Sequence, residues 1–271
     1  MMEAWQREGT WLPMRDRAWL DRGLPDLRQR FASHESFSKA GVRELLGPRF
    51  GTAKMLEAAE LESAVFLNRG TFFERVPLPR GAQLTPVLSV NTGDFDGDGI
   101  EDLFLSQNFF GSASNLSRDD SGRGAWLRGK GDGTFAVMDA SVMGIRIDGE
   151  QRGAALADFN HDGRIDLAVT QNNGATKLYL NQLARPGLRV KLNGSPKNPN
   201  AVGALLRVRY AAGKAGPVRS VQAGSGYWSQ DGMVQVLGLA QPAVALWIRW
   251  PGGREQIVPV EPGTREIQVN F

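Results

Sequence analysis

Two short acidic loops carry the residues whose types and spacing could do chemistry. Residues 94–108 and 158–172 align without a gap, 64 positions apart, and share eight of fifteen residues. In both copies, oxygen-bearing side chains stand at positions 1, 3, 5 and 9. These side chains belong to Asp94, Asp96, Asp98 and Asp102 in the first loop and to Asp158, Asn160, Asp162 and Asp166 in the second.

This spacing predicts a site for a hard cation. Alternate side chains of a tight loop converge on one centre, and Ca²⁺ takes about 6–8 oxygen ligands. Gly99 and Gly163 at position 6 allow the sharp turn, and Ile100 and Arg164 at position 7 would each offer a backbone carbonyl. Without sulfur ligands or a histidine set, calcium is favoured over transition metals. The first loop has four carboxylates and the second three, so we expect tighter calcium binding by the first loop.

The loops are not EF-hands. Position 12 is Leu105 in the first loop and Val169 in the second, so the bidentate Glu is missing. The apolar residues after each loop predict a buried strand rather than a helix. Asp- and Gly-rich turns that bind nothing are the alternative, but four matching oxygens in two copies favour the metal site.

A second repeated element predicts the β-hairpins that hold these loops. Residues 64–72 resemble residues 125–135, and residues 177–181 form a shortened third copy. The pattern is a short apolar stretch, a glycine turn and an aromatic residue, which is typical of a hairpin. A period near ~60 residues with several short strands per repeat is typical of propeller blades.

The loops with their trailing strands resemble FG-GAP (VCBS-type) repeats, the blade units of integrin-α-like β-propellers. The C-terminal part resembles the ASPIC/UnbV domain, which follows such repeats in bacterial proteins similar to cartilage acidic proteins. Leu237 and Ala240 stand where that domain usually has Phe and Gly. The residues that carry this second resemblance are 187–194, 202–204, 224–230, 236–239 and 250–253.

These patterns predict a mostly β fold in three parts. Residues 1–61 form a helical segment, either an insertion in a blade or a free cap, with helices expected at 24–31, 37–46 and 55–61. Residues 62–183 form about two blades of a partial β-propeller. Residues 187–270 form a small β-sandwich or barrel-like domain, because apolar and charged residues alternate along its segments. A closed propeller needs about 4–8 blades, so we expect further blades upstream in a longer protein, or self-association.

The composition excludes several classes of protein. The 271 residues are 41% hydrophobic and 23% charged, which is typical of a globular protein, and no apolar run approaches the roughly 18 residues of a membrane-spanning helix. The absence of cysteine excludes disulfide scaffolds, Cys-ligated zinc and thiol catalysis. The net charge of +3 combines +1 over residues 1–60, −5 over residues 61–183 and +7 over residues 184–271. Because the basic residues are scattered singly, we expect no nucleic-acid partner.

No catalytic motif stands out. Residues 124–130 match most of a phosphate-binding loop, but Gly131 replaces the Ser/Thr that binds magnesium. His34 and His161 are the histidines of the chain, both expected at the surface, and no nucleophile elbow occurs. We expect a non-enzymatic protein; the alternative is a carbohydrate-active enzyme, or a subunit of one, that uses a pair of acids on a polysaccharide.

The expected function is a calcium-stabilised binding or adhesion module that is secreted, periplasmic or at the cell surface. Its partner would be a protein or a glycan. Residues 1–7 contain no signal sequence, which indicates either a cytoplasmic protein or a missing natural N-terminus, and the expected longer protein favours the latter. The candidates for stacking on a sugar, or else for filling a β-sandwich core, are Tyr227, Trp228, Trp247 and Trp250.

Overall fold

β-Strands make up most of the regular structure in the computed structural model, which describes residues 2–112 and 117–271. The strands form six sheets, and none of them closes on itself within those residues. The chain divides into two units, Met1–Leu61 and Glu62–Phe271. In the described residues, no helix has both the length and the apolar character needed to cross a membrane.

The first unit combines a hairpin with short helices. Its side chains Asp16 and Ser33 accept backbone hydrogen bonds at the starts of two helices, which caps them. A small apolar core contains Leu20, Leu27, Ala40 and Leu45. The elements of this unit are β1 (Ala4–Arg7), β2 (Thr10–Pro13), α1 (Arg17–Leu20), α2 (Leu27–Arg30), α3 (His34–Ser38), α4 (Val42–Leu46) and a 3₁₀ turn (Gly47–Thr52).

The helix predicted at residues 55–61 is absent, so that prediction was wrong. These residues have no regular secondary structure, and Met55, Leu56 and Leu61 are 71%, 72% and 85% exposed. A helix this short is marginal in water unless it packs an apolar face against the rest of the protein. The segment buries no such face, because its three largest apolar side chains remain in solvent.

Two successive antiparallel sheets repeat one arrangement in the second unit. They follow a hairpin and have the strand orders β5-β6-β7-β8 and β9-β10-β11. Asp102 begins β6 and Asp166 begins β10, so the 64-residue offset of the sequence is also present in the fold. The elements are β3 (Ala64–Asn68), β4 (Phe73–Pro77), a 3₁₀ turn (Arg80–Ala82), β5 (Val87–Gly93), β6 (Asp102–Gln107), β7 (Ala125–Gly129), β8 (Phe135–Val137), α5 (Ala140–Met143), β9 (Glu150–Ala157), β10 (Asp166–Asn172) and β11 (Gly174–Tyr179).

The first strands of these two sheets lie side by side. The Asn91 side-chain amide on β5 donates to the Ala154 carbonyl on β9 at 2.8 Å. One apolar cluster joins the sheets and includes Phe104 and Val169, both 0% exposed. Because each acidic loop links the first two strands of its sheet, the two loops are held on adjacent scaffolds.

Two further sheets complete the second unit. In one, β12 lies between β15, which is antiparallel to it, and β18, which is parallel; the other has the antiparallel order β14-β13-β16-β17. Both contribute to one core in which Val190, Leu206 and Ile248 are 0% exposed. The elements are β12 (Leu188–Asn193), β13 (Leu205–Tyr210), a 3₁₀ turn (Ala211–Gly213), β14 (Arg219–Ser220), β15 (Gln235–Leu237), β16 (Ala243–Arg249), β17 (Glu255–Pro259) and β18 (Glu266–Asn270).

Candidate metal centre

The first loop is built around two buried carboxylates. Asp94 Oδ2 accepts the Gly99 N–H at 2.7 Å, and Asp94 Oδ1 accepts the Gly97 N–H at 2.7 Å. Asp102 accepts the N–H groups of Phe95 at 2.9 Å and Gly129 at 2.8 Å. Both glycines of the loop have positive φ, +73° at Gly97 and +90° at Gly99, which glycine adopts without steric cost. These bonds fix the turn that aims the loop side chains inward.

The second loop repeats this backbone network. Asp158 Oδ2 accepts the Gly163 N–H at 2.8 Å, and Asp166 accepts the N–H groups of Phe159 at 2.8 Å and Asn181 at 2.7 Å. At position 7, the N–H groups of Ile100 and Arg164 donate to the aspartates two residues earlier, in each case at 2.9 Å. The repeat therefore encodes the same loop conformation twice.

Three carboxylates converge in the first loop. Ligand oxygens of Asp94, Asp96 and Asp102 all lie within 4.8 Å of one another, and Asp94 and Asp102 are buried. Within residues 2–112 and 117–271, no other group of three His, Asp or Glu side chains is this close. Asp94 Oδ1 accepts two N–H groups, from Gly97 and Asp98, but Asp94 Oδ2 accepts one, from Gly99, and retains a second lone pair. The arrangement can therefore offer several oxygens to one hard cation.

Burial makes it costly to keep the carboxylates of this group ionised. Loss of solvent raises the pKa of Asp94 to about 6 and that of Asp102 to about 7, although backbone N–H groups act to lower both values. The Arg128 guanidinium pairs with the outer carboxylates, Asp96 and Asp98, and its side chain is 47% exposed. Among the residues that the structure describes, the hydrogen-bond partners of the buried pair, Asp94 and Asp102, include no cationic side chain.

The second loop is neutralised from within the protein. Arg189 Nη1 forms an ion pair with Asp158 Oδ2, and the two side chains are 7% and 1% exposed. Although burial acts to raise it, hydrogen bonds from the Asn160 amide and from Arg164 lower the pKa of Asp162. Arg164 Nη1 lies 3.0 Å from Asp162 Oδ2. Burial also raises the pKa of Asp166.

A calcium ion therefore fits the donor set of the first loop, while the second loop does not fit one as folded. In the first loop, Asp94, Asp96 and Asp102 could hold the ion. Asp98 stands at the edge of that group with its Oδ2 turned to Arg128 at 2.8 Å. In the second loop, the position-1 carboxylate, Asp158, already has a guanidinium partner.

Both loops lie against the region that leads into β12. The N–H of Arg185 donates to the Asp96 carbonyl at 3.2 Å, and the N–H of Gly187 donates to the Gly163 carbonyl at 2.8 Å. The Asn181 side-chain amide bridges the loops, because it donates to the carbonyls of both Phe95 (2.8 Å) and Ile165 (3.2 Å). The loops thus form one layer with the segment that connects them to the last two sheets.

Several residues of this layer were missed by sequence reasoning. Gly238 packs so closely on the first loop that a Cβ there would lie 1.5 Å from Asp94 Oδ2. Arg219 donates two bonds to the Glu101 carboxylate, both at 2.8 Å. Arg189 and Arg128 were missed as well. The +7 charge of residues 184–271 was a general signal for Arg189 and Arg219, but it does not identify them, and it does not extend to Arg128.

The four aromatic candidates occupy different environments. Trp250 is 1% exposed in the core and donates to Gln256, so it presents no surface to a ligand, which corrects its assignment as a stacking residue. Trp247 is half-buried beneath the Arg207 guanidinium. Tyr227 and Trp228 stack on each other with ring centroids 5.9 Å apart, and Trp228 is 95% exposed. These two rings remain available at the surface.

Comparison with known proteins identifies the C-terminal region. Residues 194–270 match the model of the family described as "ASPIC and UnbV", so this region carries an ASPIC/UnbV domain. The chain is 38% identical over 89 residues to Cartilage acidic protein 1 of Homo sapiens, which is 32% of this chain and 13% of that protein. It is 37% identical over 87 residues to the Mus musculus protein of the same name, 32% of this chain and 14% of the relative. The match therefore spans about an eighth of the length of these relatives.

Proposed function

We propose that this protein is a non-enzymatic binding or adhesion module that calcium stabilises. The observation that carries the proposal is the convergence of Asp94, Asp96 and Asp102 within 4.8 Å. A bound calcium ion supplies positive charge to carboxylates that folding has removed from water. The chain's own contribution is to hold those oxygens in place with the N–H groups of Gly97, Gly99 and other loop residues.

The proposed architecture is a set of FG-GAP-type propeller blades followed by the ASPIC/UnbV domain. In support, consecutive strands are neighbours both in the four-stranded sheet β5–β8 and in the three-stranded sheet β9–β11, and each sheet carries its acidic loop between its first two strands. The neighbouring first strands, joined through Asn91, correspond to the inner strands of adjacent blades. Calcium at the first loop then stabilises the layer on which the C-terminal domain rests.

The proposed location is outside the cytoplasm: secreted, periplasmic or at the cell surface. Extracellular calcium modules typically bind the ion at about 10⁻⁴–10⁻³ M, which suits compartments rich in calcium. The partner is proposed to be a protein or a glycan. The exposed Tyr227–Trp228 pair supports this, because stacked aromatic faces provide contact area with little loss of side-chain entropy.

Thermal unfolding with calcium and with chelator tests the calcium assignment. At a free calcium concentration of about 100 times Kd, binding adds about 2.7 kcal/mol of stability, which corresponds to roughly 5–10 °C in Tm for a domain of this size. Asp96→Ala should remove most of that rise. Asn160→Ala, at the same position of the second loop, is the matched control and should retain it. A wild-type protein with the same Tm in calcium and chelator would refute the assignment.

A glycan array combined with an assay for reducing-end release tests the non-enzymatic part. We expect no release of reducing ends from any polysaccharide in the panel. Release that persists after repeated purification and scales with protein concentration would contradict a pure binding role.

A further inference from the structure

Arg189 pairs with the position-1 carboxylate of the second loop, and within residues 2–112 and 117–271 no cationic side chain pairs with the position-1 carboxylate of the first loop. Arg189 stands on β12 and reaches Asp158, the position-1 ligand of the second loop, with a guanidinium that is 7% exposed. Its Nε donates to Glu266 on β18 at 2.9 Å, and its Nη2 lies 3.1 Å from His161 Nδ1. One side chain thus joins the loop to two strands of the C-terminal sheet.

We propose that Arg189 is the resident cation of the second loop and fastens it to the C-terminal sheet without metal. The chain then binds calcium at the first loop alone. Calcium binding by the first loop rests on the proposed function, whereas the role of Arg189 rests on the contacts of its own side chain. The sequence pattern ranks the first loop above the second by its charge, but it predicts calcium at both loops.

The burial of the two arginines supports this division. Arg128 contacts outer carboxylates of the first loop but is 47% exposed, so an arriving ion can displace it into water at little cost. Arg189 is buried and also pairs with Glu266, whose side chain is 53% exposed. An ion that bound Asp158 would have to leave a buried guanidinium without its most buried partner, and an uncompensated buried charge is costly.

The protein also supplies positive charge to the second loop without metal. Its three carboxylates belong to Asp158, Asp162 and Asp166. The first pairs with Arg189, the second pairs with Arg164 at 3.0 Å, and the third accepts N–H groups from Phe159 and Asn181. Two guanidinium groups therefore supply the positive charge that a divalent ion would bring.

Calcium titration by calorimetry on the full chain is the first test. We expect one site in the wild type and none in Asp96→Ala. Asp158→Asn should leave the wild-type site unchanged, because the substitution lies in the second loop and removes none of the converging oxygens of the first loop. A second site that survives Asp96→Ala and disappears in Asp158→Asn would overturn the proposal. No binding at all would refute the proposed calcium function but agree with a metal-free second loop.

A double-mutant cycle in chelator tests the role of Arg189 directly. Loss of one partner of a buried ion pair is expected to lower the folding equilibrium constant about 100-fold or more, so Arg189→Met should be strongly destabilised in a urea titration. Because Asp158→Asn removes the unpaired charge, the double variant should be at least about 10-fold more stable than independent effects predict.

Arg128→Met is the matched control, since it removes an exposed arginine on β7 that pairs with carboxylates of the first loop; we expect less than about a 5-fold effect in chelator. Arg189→Lys, which keeps the charge, serves if Arg189→Met does not fold, and it is then expected to depend on Asp158 in the same way. Independent effects of the Asp158 and Arg189 substitutions would overturn the proposal.

Discussion

Gly238 is the position at which one methyl group should disrupt the candidate metal centre. A Cβ at Gly238 would lie 1.5 Å from Asp94 Oδ2, while real Cβ contacts essentially never fall below 3.0 Å. The backbone of Gly238 does not require glycine, because its φ lies outside the positive range. The effect of Gly238→Ala is therefore steric, and it acts on the carboxylate that organises the first loop.

The size of the effect follows from the displacement. The carboxylate or the strand must move by at least about 1.5 Å to reach an ordinary contact distance. The added Cβ would also lie 3.2 Å from the Gly99 N atom, so it pushes Asp94 Oδ2 sideways across the 2.7 Å bond from the Gly99 N–H, which weakens that bond without breaking it. Overpacking costs about 1–3 kcal/mol, so we expect Gly238→Ala to lose roughly 1–3 kcal/mol, or about 4–8 °C in Tm near the middle of that range.

Thermal unfolding followed by circular dichroism, in calcium and in chelator, measures this loss. Gly224→Ala is the matched control, since its added Cβ would lie 3.9 Å from the nearest atom, the Ser229 carbonyl oxygen, and its φ is also outside the positive range. The control should change stability by less than about 1 kcal/mol. Gly238→Ala should also lose the calcium-dependent rise in Tm. If the two variants unfold alike, the close approach of Gly238 to Asp94 does not exist in solution.

The remaining predictions concern the C-terminal core and its junction with the first loop. Trp250→Ala should cost about 3–5 kcal/mol in a urea titration because the ring is 1% exposed, whereas Trp228→Ala at 95% exposure should change stability by less than about 0.5 kcal/mol; similar losses would contradict the burial of Trp250. A double-mutant cycle of Glu101→Gln with Arg219→Met should give a coupling energy of about 1–2 kcal/mol, since the pair is bidentate and largely shielded from solvent. A coupling near zero would show that this pair does not join the loop to β14.

Local patterns in the sequence predicted the elements that repeat. The spacing of aspartates and glycines depends on contacts within about nine residues, and both loops show the same bonds, such as those from Gly99 to Asp94 and from Gly163 to Asp158. The alternation of apolar residues likewise predicted the strands of the C-terminal sheets. The apolar content of residues 55–61 gave the wrong element because helix formation there needed a tertiary neighbour that the sequence does not reveal.

The partners of the loops could not be predicted, since they come from distant parts of the chain. Arg189 lies 31 residues from Asp158, and Arg219 lies 118 residues from Glu101. Many arginines have similar local sequence surroundings, so only the packing of the sheets selects which of them is buried beside a carboxylate. Gly238 was part of a recognised motif, yet its contact with Asp94 requires the fold.

The two loops differ in sequence at the positions where their surroundings differ. At position 4, Gly97 has φ +73° and a Cβ there would lie 2.3 Å from the Arg185 carbonyl oxygen, so a side chain is sterically excluded. His161 has nearly the same φ, +63°, but its ring has space and lies beside Arg189. At position 3, the first loop keeps the charge of Asp96 within its convergent group, while Asn160 replaces that charge with an amide that donates to Asp162 at 3.0 Å. The same backbone conformation is thus compatible with two sources of positive charge, a bound ion or an arginine. The uncharged Asn160 at position 3 and His161 beside Arg189 at position 4 are the residues expected if the second loop relies on arginine.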